Sequence, residues 1–149
     1  MKLDSAATSR TGDPFNLQRF VTAQAPTYET ARAELLSGRK TSHWMWFIFP
    51  QLHGLGRSHT AERYAISSIE EARAYLAHPV LGPRVKECAR IVNEIEGASL
   101  EEIFGYPDNL KFRSSMTLFA RAATADEPFR KALEKYCGSQ EDPLTVERL

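Results

Sequence analysis

The sequence predicts an all-α fold, a compact single domain of about seven or eight short helices. Three observations carry this. Apolar residues recur at three- and four-residue intervals along most of the chain, and helix-capping and helix-stopping residues punctuate them. The hairpin dipeptides Asn-Gly and Asp-Gly are both absent, and no alternating apolar and polar run sits between turn signals.

Taken in order, Met1 to Gly12 carries a lysine near its start but no apolar centre, so residues 1–12 are expected to form a mobile tail rather than a secretory leader. The domain is then residues 13–149. Asp13 offers an N-cap with Pro14 at the first helical position, and Leu17, Phe20 and Val21 mark a first helix ending near Gln24. Tyr28, Ala31 and Leu35 mark a second, closed by Gly38. Ser58 caps a short helix through Tyr64, and Ser68 with Glu71 forms a capping box for a helix that must end near His78, because Pro79 disfavours helical geometry before it. Val85, Cys88, Ala89, Val92 and Ile95 give the clearest amphipathic stripe, ending at Gly97. A second capping box, Ser99 with Glu102, opens a turn of helix stopped by Gly105 and Pro107. A longer helix runs from about Leu110 to Ala123, with Asp108 as its N-cap; another opens at Asp126-Glu127-Pro128 and reaches Gly138, and Asp142-Pro143 opens a short terminal segment.

Nineteen basic and nineteen acidic residues balance, so no whole-protein field draws in nucleic acid or an anionic membrane, and neither is an expected partner. The longest apolar run, Trp44 to Phe49, is far shorter than the ~20 residues of a membrane-spanning helix. Cys88 and Cys137 lack zinc-site spacing and are expected as reduced, buried thiols, which places the protein in the cytoplasm. His43, His53 and His59 match no ligand spacing, and neither a phosphate loop nor a dinucleotide fingerprint is present, so no metal or cofactor is expected.

The segment from Lys40 to Tyr64 stands apart, holding both tryptophans and three of the four histidines. Burying the six large side chains of Trp44 to Phe49 contributes roughly 9–18 kcal/mol, as much as a domain's whole net stability, so a buried aromatic core helix is the first reading of the run. The flanks carry the functional reading. Between Leu36 and Ile66, Arg39, Lys40, Arg57 and Arg63 face Glu62 alone, a local surplus of positive charge. Gly54-Leu55-Gly56-Arg57-Ser58 leads into a helix start, where backbone N–H groups and an arginine can hold a phosphate or carboxylate, although a glycine turn with an ordinary cap explains the same residues. His43 fits either a structural histidine or a general acid or base at the rim of an aromatic wall. Trp44 and Trp46 can fill core or stack on a planar ligand. Lys111 and Ser115, four apart on a helix, can form a base and nucleophile, or Lys111 can be a solvated charge.

Three blocks resemble the DUF1810 family: SHWMWFIFPQL-x-GLG-x-S at Ser42–Ser58, YLAHPVLGPRVKEC at Tyr75–Cys88, and IFGYPDNLKFRSSMTLFA at Ile103–Ala120. The resemblance covers the chain from about Asp13 to its end and implies a mainly α-helical single domain with no assigned activity. The third block is more faintly similar to the NADAR group, which implies ADP-ribose-linked substrates without transferring any catalytic residue.

Together these readings point to an aromatic pocket formed where the three blocks converge. His43 and Lys111 are the catalytic candidates. Lys40, Trp44, Trp46, Gln51, Arg57, Ser58, Tyr64 and Ser115 are the binding candidates, around a small anionic metabolite that is nucleotide-like or ADP-ribose-like and is bound, hydrolysed or transferred. The competing expectation is a non-catalytic interaction module or homodimerising domain that uses the tryptophan-rich segment. The chain is then a monomer or a homodimer.

Overall fold

In the computed structural model, residues 12–125 and 127–149 are described. The tail expected over 1–12 therefore lies, except for Gly12, outside the described residues, as does Asp126. Ten helices occur among them: α1 (Gln18–Gln24), α2 (Tyr28–Leu36), α3 (Met45–Ile48), α4 (His59–Arg63), α5 (Ile69–Ala77), α6 (Leu81–Glu94), α7 (Leu100–Phe104), α8 (Asp108–Ala122), α9 (Phe129–Cys137) and α10 (Pro143–Arg148). This all-α domain has more helices than the expected seven or eight because α3, α4, α7 and α10 are only four to six residues long, near or below one or two turns.

Most boundaries follow the capping chemistry. Ser58, Ser68, Ser99 and Asp142 each accept a backbone N–H as N-caps, and Ser99 with Glu102 forms a full capping box. The Ser68 box is only half made: Glu71 turns away to accept from Ser67 and to pair with Arg19 at 3.0 Å, a contact that ties α5 to α1. Asp13 does take two N–H groups, from Leu17 and Gln18, yet α1 starts a turn later than its Pro14 suggests, because Asn16 adopts a left-handed conformation at φ 55°. Pro107, rather than Asp108, is the N-cap of α8, and Asp108 sits in the first turn.

α8 is the central strut. It packs against α5, α7, α9 and α10, and its Phe112, Met116, Leu118 and Phe119 are fully buried. An aromatic chain runs through the core around it: Phe104 stacks on Phe112 at 4.8 Å, Phe112 meets Phe49 edge-on at 5.0 Å, and Tyr75 and Phe129 flank Phe119. Trp44, Met45, Ile48 and Phe49 are buried in this core, but the run supplies a helix of only four residues.

One polar thread is buried with them. Gln24 donates to the Phe47 carbonyl and the Tyr75 hydroxyl and accepts from Arg84, so α1, α3, α5 and α6 are pinned at one point with its amide satisfied. Cys88 is buried beside this region, and burial pushes its thiol up to about 12; Cys137 is only half-buried, and neither is in a disulfide.

Candidate cleft between the tryptophan loop and the α8 start

After Phe49, Pro50 ends the helical run and the chain crosses to Ile66 through a short parallel bridge. Ile66 N–H donates to the Gln51 carbonyl at 2.8 Å, and His53 N–H donates to the Ile66 carbonyl at 2.7 Å. This fixes Gln51 and launches the loop 53–58. Two glycines let the loop close. Gly54, at φ +93°, lies under the Arg148 guanidinium of α10, and a Cβ on Gly56 would stand 2.6 Å from that of Ala61. The loop therefore lies between α4 and α10 and turns Arg57 and Ser58 toward the first turns of α8.

The result is an open cleft of about 480 Å³. Trp46, Gln51, Arg57, Ser58 and Lys111 line it together, so five of the ten candidate residues share one surface. Its apolar wall is Trp46, Leu55, Leu110 and Leu144, the last from α10. A narrow crevice of about 20 Å³ shares Trp46, Gln51 and Lys111 with it, and Tyr64 lines this inner space. Tyr64 itself packs edge-on against Phe47 at 5.4 Å.

Charge beside the cleft is organised around Asp108, which does not itself line it. Lys40 reaches one carboxylate oxygen at 2.8 Å, and Lys111 reaches the other at 3.2 Å. Each lysine also lies over a tryptophan: Lys40 is 5.2 Å from the Trp44 ring centroid and Lys111 is 4.8 Å from that of Trp46. Only 8% of the Lys40 side chain is exposed, so it is a structural partner behind the cleft rather than a lining residue. Arg113 lines the cleft with its guanidinium given to the Gln140 and Glu141 carbonyls, which leaves its charge uncancelled. Asp142 is the one carboxylate on the lining, with its Oδ2 capping α10 through Thr145.

The remaining candidates lie elsewhere. Trp44 is fully buried, and its Nε1–H donates to Glu34, so it packs core and offers a ligand nothing. Ser115 is also fully buried. It is Ser114, one position earlier on α8, that lines the cleft, so the expected Lys111–Ser115 pair does not meet a ligand space and Lys111 pairs with Asp108 instead. His43 is exposed and lines neither the cleft nor the crevice. The first and third sequence blocks do converge here. The second does not: Tyr75–Cys88 supplies no lining residue, because it builds the α5–α6 corner and the core.

Glu34 was not among the sequence candidates, yet it shapes the whole loop. Its carboxylate accepts from the Thr41 and Ser42 backbones, the Ser42 hydroxyl and the Trp44 indole. Burial opposes its charge, but these donors prevail and hold its pKa at about 2.

Residues 14–149 match the family of proteins of unknown function DUF1810. The chain belongs to this family. It is also similar to the conserved hypothetical protein Rv1873 of Mycobacterium tuberculosis, whose crystal structure at 1.38 Å shares 60% sequence identity and a TM-score of 0.91, covering 92% of this chain and 98% of that one. No curated protein matches it. Among the described residues no helix is long and apolar enough to cross a membrane.

Proposed function

We propose that this DUF1810 protein binds a small anionic, ring-bearing metabolite of the nucleotide class, ADP-ribose-like molecules included, in the cleft between Trp46 and α8. The observation that carries the reading is the meeting on one surface of an apolar wall (Trp46, Leu110, Leu144) with Arg57, Lys111 and the uncommitted Gln51 amide. Apolar cover with a few convergent polar groups is the usual make-up of a small-molecule site, and the cleft is within the size range of such sites. Arg57 and the Gln51 side chain have no partner among the described residues, so a ligand meets them without first breaking a bond. Of the two catalytic candidates only Lys111 lines the cleft, with its ammonium paired to Asp108, and His43 does not reach it, so the reading is stated for binding. The two free cysteines suit a reducing compartment, and the cytoplasm is the proposed location.

A thermal-shift panel of nucleotides, nucleosides, NAD, ADP-ribose and sugar phosphates tests this. A ligand at a hundred times its Kd adds about 2.7 kcal/mol, a rise of roughly 5–10 °C in Tm. The reading expects at least one such rise that is lost in Trp46→Ala, with the unliganded variant still folded. A flat panel overturns it. A second reading, self-association as a homodimer, is favoured by the exposure of Leu110 and Leu144 at the cleft mouth, and a concentration-dependent sedimentation coefficient would select it.

A further inference from the structure

The anionic group that the cleft takes can be identified from its charge balance. Three cations, Arg57, Lys111 and Arg113, share the lining with the single carboxylate Asp142. Asp108 subtracts nothing further, because Lys40 lies 2.8 Å from it with only 8% of its side chain exposed and already balances it. Lys111, more exposed and at the longer distance of 3.2 Å, is the surplus partner of that pair. Arg57 is exposed and has no partner among the described residues, and the Ser58 hydroxyl, which accepts from Ala61 N–H, still has its proton to donate.

We propose that Arg57, Ser58 and Lys111 form a subsite for a terminal phosphate dianion, so that within the nucleotide class the ligand is a phosphomonoester rather than a carboxylate or a diester, which narrows the reading above by setting aside ADP-ribose and NAD, whose phosphates are both internal. The proposal rests on the binding reading above. Two surplus positive charges in a chain of zero net charge match a group bearing −1.5 to −2 at neutral pH, about as phosphate monoesters do, while a monoanion would leave the cleft cationic. Asp108 is a positioning residue here. It holds Lys111 over the Trp46 ring, 4.8 Å from its centroid, beside the wall where the ligand ring would lie, and Lys40 keeps Asp108 balanced when Lys111 turns to the phosphate.

Isothermal titration with AMP, its methyl phosphodiester, adenosine and inorganic phosphate tests the assignment on the wild type, Arg57→Gln and Lys111→Gln. AMP should bind at least tenfold more tightly than adenosine and several-fold more tightly than the diester. Both variants should lose at least tenfold for AMP and clearly less for adenosine, so that the AMP-to-adenosine preference falls several-fold in each. Equal affinities for AMP and adenosine, or for AMP and its diester, overturn the phosphate subsite and leave the ring-binding reading intact. Inorganic phosphate that binds and is lost in both variants, with no gain from the nucleoside, supports the subsite and overturns the ring reading. Absence of binding by all four at millimolar concentration overturns both.

Discussion

Glu34 has no motif around it, yet it collects four hydrogen bonds from the loop that carries Trp44. Glu34→Gln keeps the size but removes the charge, and an amide cannot accept from all of those donors. Charge-assisted bonds contribute about 1.5–3 kcal/mol each at most, and partial re-pairing makes a loss of roughly 1–3 kcal/mol the expected result in urea unfolding. The pH dependence follows from the sign of the shift. Glu34 is held at about 2 in the folded chain against an ordinary 4.5, so its contribution is complete above about pH 4.5 and vanishes as pH falls toward 2. The stability gap between wild type and Glu34→Gln should therefore narrow across that window. A gap that stays constant from pH 5 to pH 2.5 would contradict the hydrogen-bond account. Such a hub could not be read from the sequence, since a glutamate on an amphipathic helix reads as a solvated charge and its partners are seven to ten residues away. Spacing alone singled out Ser115 for a related reason: Lys111 has helical neighbours at both three and four residues, and only the packing of α8 against the core decides that Ser114 faces the cleft and Ser115 is buried.

At the scale of elements, the long helices were readable because their apolar spacing persists over several turns, as in α6 and α8, although neither carries a side-chain N-cap. The loop 49–58 was not, because its course depends on the Gly54 contact with Arg148 of α10, about ninety residues away in sequence, as well as on the adjacent α4. The α5–α6 corner gives one test. Gly82 lies inside α6, where alanine is normally favoured by about 1 kcal/mol, but its Cβ would stand 2.1 Å from the Leu76 carbonyl oxygen. Gly82→Ala should therefore destabilise by about 1–3 kcal/mol, as overpacking does, and a gain in Tm would show that the corner can open. The terminal helix gives another. α10 is attached to α8 where Thr117 Oγ1 donates to the Arg113 carbonyl and accepts the Asp142 N–H, and where Arg121 pairs with Glu141 at 2.7 Å. Thr117→Val removes the buried anchor and leaves the Asp142 N–H unpaired, at a cost of about 1–3 kcal/mol. Hydrogen exchange in residues 143–149 should quicken well before the amides of α8 do. Equal acceleration in both would mean that α10 is not a separate unit.

Over the whole molecule, the charges balance and the described residues share one core, and the cleft is a place among them where surplus charge, a tryptophan face and uncommitted polar groups meet. The sequence placed half of its candidates there, because the compositional oddity of residues 40–64 combines a core requirement with a site. It could not separate the two tryptophans, which differ by two positions and by everything in their surroundings: Trp44 is locked to Glu34 inside the core, and Trp46 faces the cleft beside Lys111. That difference supplies the most direct test of the account. With two tryptophans, the chain should give two indole N–H resonances in a proton–nitrogen correlation spectrum, assignable by Trp46→Phe. On titration with AMP, the Trp46 resonance should move in a saturable way while that of Trp44 stays in place. Movement of Trp44 alone, or of neither at millimolar AMP, would contradict the assignment of this cleft as the binding site.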